Sequence, residues 1–154
     1  ELITYTNSTT GTAVYGTTSA NSDAPANALF IVETNSPFDW RSTQDNTLWA
    51  TEASANNPCP VGFRVPTLTE QNTLVTAASI TNSASAASST LKFTVPGIRS
   101  STDGTLFGVG GNGNYWSSTV SVPYANYRYF HSGGATTNSG GHRAYGATVR
   151  CLKD

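Results

Sequence analysis

The chain has 154 residues, a net charge of −1 and 11 % charged residues, under half of the roughly 25 % found in an average soluble domain. Its length suits one domain, and eight Lys and Arg against nine Asp and Glu exclude a nucleic-acid binder that tracks phosphates. No apolar run approaches the roughly 18 residues of a membrane span, so no membrane insertion by this domain is expected. Thr, Ser, Asn and Gly supply 69 residues, yet 37 % of the chain is hydrophobic, with three Trp, seven Tyr and six Phe. That is too apolar and too weakly charged for a disordered chain. No Met and no signal peptide are present, so Glu1 reads as the start of an excised domain or a mature chain.

Residues 1–27 are rich in Thr, Ser, Asn and Ala and read as an N-terminal arm or linker. Ala28-Leu29-Phe30-Ile31-Val32-Glu33 is an apolar, β-rich run and predicts the first strand. Trp40 and Trp49 stand among turn residues and are expected to anchor the core. In Asn57-Pro58-Cys59-Pro60 the prolines fix a rigid loop. Thr67-Leu68-Thr69-Glu70 is a capping box: the Thr67 hydroxyl accepts from the N3 amide while Glu70 reaches back to the cap. It predicts a helix over about 68–78 with Leu68, Leu74, Val75 and Ala78 on the buried side. Residues 79–90 predict a loop or a poor second helix.

Leu91-Lys92-Phe93-Thr94-Val95 alternates and predicts a strand ending at Pro96-Gly97. Asp103-Gly104 predicts a hairpin between Arg99 and Leu106-Phe107. The glycines at 108, 110, 111 and 113 lead into Tyr115-Trp116-Ser117-Ser118-Thr119, and Tyr127–His131 and Ala147–Leu152 are β-compatible. Short strands, one strongly marked helix and long irregular connections give an α+β domain. If Phe130 points inward, alternation along a strand turns Tyr127, Tyr129 and His131 outward, with Tyr124 just before them. Asn138-Ser139-Gly140-Gly141-His142 and Tyr145 follow a Gly/Thr loop. Tyr, Ser, Gly, Asn and His are the residues that antibody loops use for adaptable contact.

Catalytic templates are not met. Gly108-Val109-Gly110-Gly111 lacks the Lys-Ser/Thr of a phosphate loop, and no G-x-S-x-G elbow is present. His131 and His142 have no acidic residue or Cys between them, so neither a metal nor another cofactor is expected. Cys59 and Cys151, the only cysteines, either bridge or stay as two separate buried thiols.

Asp39-Trp40-Arg41, Asn57-Pro58-Cys59-Pro60-Val61-Gly62-Phe63-Arg64-Val65-Pro66-Thr67, Gly97-Ile98-Arg99, Gly113-Asn114-Tyr115-Trp116-Ser117-Ser118-Thr119 and Val149-Arg150-Cys151-Leu152 resemble, in this order, the Fibrobacter succinogenes major paralogous domain. The resemblance spans 28–154 and implies a C-type-lectin-like fold of the formylglycine-generating-enzyme type. Arg64-Val65-Pro66-Thr67-Leu68-Thr69-Glu70 is similar to that branch's Arg-Leu-Pro-Thr-Glu motif. The calcium-dependent sugar motifs of true C-type lectins are absent. Only Cys151 stands where the enzymes of that branch carry a close cysteine pair. The resemblance therefore implies neither calcium nor catalysis.

Residues 115–151 resemble the variable region of proteins diversified by diversity-generating retroelements, in which adenines are randomised and Asn codons are the main targets. The positions read as variable are Tyr124, Tyr127, Tyr129, His131, Asn138, Ser139, Gly140, Gly141, His142 and Tyr145, and every residue there is reachable from an Asn codon. The expectation is a non-enzymatic ligand-binding domain whose C-terminal face meets a host or cell-surface protein or glycan. It would work outside the cell, on a cell or virion surface, with Trp116, Trp40, Trp49 and Phe130 holding the core. A non-variable structural module and a formylglycine-generating-type enzyme are the alternatives.

Overall fold

Three antiparallel strands carry the C-terminal half of the chain: β4 (Gly113–Ser121), β5 (Tyr124–His131) and β6 (Gly134–Gly141), paired in the order β4-β5-β6. They come from a computed structural model that describes residues 30–54 and 56–154, the side chains of Asn138 and Ser139 excepted. Tight turns at 122–123 and 132–133 fix the register, which sets Trp116 opposite Tyr127 and Phe130 opposite Ala135. The sequence marks β5 well, but β6 (Gly-Ala-Thr-Thr-Asn-Ser-Gly-Gly) replaces an expected Gly/Thr loop. Its own residues are poor strand formers, and the ladder it makes with β5 holds it.

One face of this sheet carries the core. Phe130 has no exposed surface and packs with Val75, Ile80, Ala86, Phe93 and Tyr115. Burying a side chain of that size stabilises by about 1.5–3 kcal/mol. Phe93 meets Tyr115 edge-on at 4.9 Å and Phe130 at 5.0 Å. The Tyr115 hydroxyl donates to the Thr94 carbonyl and accepts from the Thr94 amide, both at 2.9 Å, so its polar tip is not stranded inside. Two helices cover this face, α1 (Leu68–Ala77) and α2 (Ser83–Ser88).

Helix α1 starts where its capping box predicts. The Glu70 amide donates to Thr67 Oγ1 at 3.2 Å, and Glu70 Oε2 accepts from the Thr67 amide at 2.8 Å. Val75 is buried as expected, whereas Leu68, Leu74 and Ala78 are only half-buried. Gln71 is buried in their place, because its Nε2 donates to the Trp116 carbonyl at 2.8 Å and ties the helix to β4. Arg128 on β5 does the same from the sheet, donating to Asn72 Oδ1 at 2.7 Å.

Two expected strands are irregular. Leu91–Val95 forms no ladder because its amides are used locally: Lys92 donates to Ser89, Phe93 to Ala86 and Thr94 to the Tyr115 hydroxyl. Of the expected first strand 28–33, Ala28 and Leu29 lie outside the described residues; Phe30 makes a single bridge and Ile31–Glu33 is buried, with the Glu33 amide donating to the Ser101 carbonyl at 2.6 Å. The hairpin is as expected: β2 (Ile98–Arg99) pairs antiparallel with β3 (Leu106–Phe107) around Gly104, whose φ of 69° suits glycine. The expected closing strand 147–152 is shorter, a bridge from Thr148 to Tyr115 followed by β7 (Leu152–Lys153). The expected arm, 1–27, lies outside the described residues.

The chain end is fastened to the start of α1. β7 pairs with β1 (Phe63–Arg64), and Cys59 and Cys151 form a disulfide with Cα atoms 5.8 Å apart. Closing a loop with a separation of 92 residues removes enough denatured-state freedom to stabilise by about 4–5 kcal/mol. Arg64 completes the clasp, reaching Glu70 with two hydrogen bonds of 2.6 and 2.8 Å and Asp154 with one of 2.7 Å. The Arg64 guanidinium holds the Glu70 carboxyl down at about 2. The architecture is mixed α+β, built mostly of short antiparallel strands in small sheets with two helices among the described residues.

Candidate ligand-binding surface

Strand β5 sorts its side chains by alternation. Arg128 and Phe130 turn toward the helices, so Tyr127, Tyr129 and His131 take the opposite face. Tyr129 and His131 are half-buried there, their rings stacked at 4.9 Å with 21° between planes. Tyr127 does not share their exposure. It is 8 % exposed and meets Trp116 edge-on at 5.7 Å. Gly141 of β6 is buried against it: a Cβ there would stand 2.7 Å from Tyr127 Cδ1 and 2.9 Å from the Ala125 carbonyl oxygen. Tyr127 and Gly141 are thus a packing pair, which corrects their expected outward placement. The cause is long-range: the register brings Trp116 opposite Tyr127, and an indole covers what alternation alone would leave open.

A second aromatic group forms in the turn after β6. The His142 ring lies between Phe38, at 3.9 Å and 13°, and Tyr145, at 4.6 Å and 14°. Tyr124 stands 6.1 Å away at 29°. His142 Nδ1 shares a 2.8 Å hydrogen bond with Ser101 Oγ, itself 1 % exposed. The Ala144 amide donates to the Phe38 carbonyl at 3.0 Å, pinning the turn to the segment before it. Burial lowers the His142 pKa and raises that of Tyr145, so both rings are neutral near pH 7. Asn138 and Ser139 lie on β6, where Asn138 is paired with Tyr127, and Gly140 is exposed.

Trp40 and Trp49 are half-buried and do not sit in the core cluster. With Trp116 they line an open cleft of about 150 Å³, shared with Leu48, Val120, Ala125, Asp45 and Arg143. The register of β4 against β5 shifts between Trp116 and Val120, which opens the sheet at this point. All three tryptophans of the chain therefore meet at one cleft, although Trp116 lies 67 residues beyond Trp49. Their spacing carries no period that could have shown it.

No family model, curated protein or solved structure matches the chain.

Among the described residues no group of three or more His, Cys, Asp or Glu side chains is placed to hold a metal ion, and no helix is long and apolar enough to cross a membrane. The surface offers aromatic rings from Tyr124, Tyr129, His131 and Tyr145 beside the small residues of the edge strand β6.

Two outcomes follow from this geometry. Gly141→Ala should destabilise by about 1–3 kcal/mol, since the new methyl meets a carbonyl that cannot turn aside, read as a lowered denaturant midpoint. His142 has its pKa lowered by burial, so the unfolded chain binds its proton first as pH falls. The stability this site contributes is present at neutral pH and is lost below about 6.5, the ordinary imidazole value. Thermal unfolding followed from pH 8 to 5 should show that decline, and His142→Phe should flatten it.

Proposed function

We propose that the chain is a ligand-recognition domain of C-type-lectin-like fold, diversified by a retroelement at exposed positions of its C-terminal sheet and acting on an external surface. One observation carries the reading. Tyr124, Tyr129, His131 and Tyr145, all expected contact positions, are half-buried rings on β5 and the turn after β6, outside the core cluster. A surface of that kind gives large contact area at low entropy cost, because tyrosine has few rotatable bonds to freeze. The positions can change side chain while Phe130, Tyr115 and Phe93 keep the fold. The disulfide supports an oxidising compartment, in keeping with a surface role. Affinity would be concentrated in the tyrosines, as aromatic residues dominate interface hot spots. The partner would be a host or cell-surface protein or glycan, and no chemistry is performed on it.

The burial pattern sharpens the test. Sequencing of this locus across its native population should place substitutions at Tyr124, Tyr129, His131, Asn138, Ser139, Gly140, His142 and Tyr145, opposite adenines of a nearby template repeat. Tyr127 and Gly141 should stay fixed. Substitutions spread evenly over the exposed residues, with no template, would make the domain a non-variable structural module instead.

A further inference from the structure

We propose that Arg128, at the rim between α1 and β6, is the cation of an anion-binding site that takes one carboxylate group. The inference is independent of the recognition surface, since Arg128 lies on the helix-facing side of β5. It is 8 % exposed, and a buried cation costs free energy unless an anion or a full set of hydrogen bonds compensates it.

Neither compensation is complete among the described residues. Nη1 donates to Asn72 Oδ1 at 2.7 Å, but Nη2 reaches the Ala135 carbonyl only at 3.4 Å, and Nε–H is buried with no partner. Both acceptors are neutral. Burial pushes the guanidinium pKa down and no acidic group opposes it. Two other arginines show what is missing: Arg64 holds Glu70 and Asp154, and Arg143 has Asp39 at 3.7 Å. The Phe130 ring, 5.7 Å from the guanidinium carbon, supplies only its π face.

Access comes from two exposed residues beside the guanidinium. Asn72 of α1 is exposed, and so is Thr137 of the edge strand β6, which stands opposite Arg128 in the register. Directly opposed residues share a face, so Thr137 lies on the helix-facing side at a point that the helices leave open. An oxyanion entering there replaces the Ala135 carbonyl at Nη2, a bond already close to its limiting length. Asn72 Nδ2 and the Thr137 hydroxyl are further donors for it. A carboxylate matches the planar fork of the guanidinium and carries the single charge that one arginine balances. A second negative charge would go uncompensated.

The test uses the whole chain at pH 7 and constant ionic strength, with acetate as probe and chloride as reference. Acetate should shift the Arg128 Nε–Hε proton signal saturably, with a dissociation constant on the order of 10 mM. At about 100 mM it should raise the thermal midpoint by about 3–6 °C over chloride. Sulfate should shift the signal with at least about threefold lower affinity. Asn72→Asp, at an exposed position, places a carboxylate on Nη1 from within the chain. That variant should melt above the parent in chloride and lose the response to acetate. The tripeptide acetyl-Gly-Asp-Gly-amide tests the source: tighter binding than acetate assigns the site to a polypeptide side chain, and equal binding to a free acid, each in support. No saturable shift in the parent chain, an undiminished acetate response in Asn72→Asp, or sulfate binding as tight as that of acetate would each overturn the proposal.

Discussion

Phe130 is wholly enclosed between the sheet and its two helices, and that enclosure fixes which side of β5 faces away from the core. A strand has a period of two, so a slip of one residue would drive the Tyr127, Tyr129, His131 set into the helices. The slip is forbidden by what Phe130 touches: Val75 and Ile80 from the α1 side, Ala86 from α2, Phe93 and Tyr115 beside it. The ladders to β4 and β6 then carry the same choice across the sheet. The disulfide and the Arg64–Glu70–Asp154 clasp hold the chain end against the start of α1.

Signals that act over a few residues were legible in the sequence. The capping box at Thr67 and Glu70, the Asp103-Gly104 hairpin and the alternation around Phe130 all state their local geometry outright. What escaped was decided by pairing that composition does not show, most of it at long range. Leu91–Val95 has the composition of a strand, but its amides find Ser89, Ala86 and the Tyr115 hydroxyl before any strand can pair with them. β6 has the composition of a loop, yet β5 recruits it. Alternation put Tyr127 outside correctly with respect to Phe130, but only the register could reveal that Trp116 stands over it. Trp40 and Trp49 read as core anchors because tryptophan is usually buried. Their meeting with Trp116 at an open cleft depends on a register shift that no local pattern encodes.

The aromatic surface and the cleft share one strut. Arg143 follows His142 directly, lines the cleft, and reaches back to the Asp45 and Asn46 side of the wall. His142 in turn is stacked between Phe38 and Tyr145. The turn after β6 is therefore held from both sides, by ring contact in one direction and by charge-assisted hydrogen bonds in the other.

The central claim is that the outer aromatic positions are separable from the fold while the buried Tyr127 is not. The direct measurement is the thermal midpoint of the triple variant Tyr124→Ser, Tyr129→Ser, His131→Ser set beside that of Tyr127→Ser alone. Surface changes of this kind cost up to about 0.5 kcal/mol each, so the triple variant should melt within about 6 °C of the parent chain. Tyr127→Ser, which empties a packed site against Trp116 and Gly141, should lose more than about 8 °C. A triple variant that unfolds, or a Tyr127→Ser chain as stable as the parent, would contradict the account.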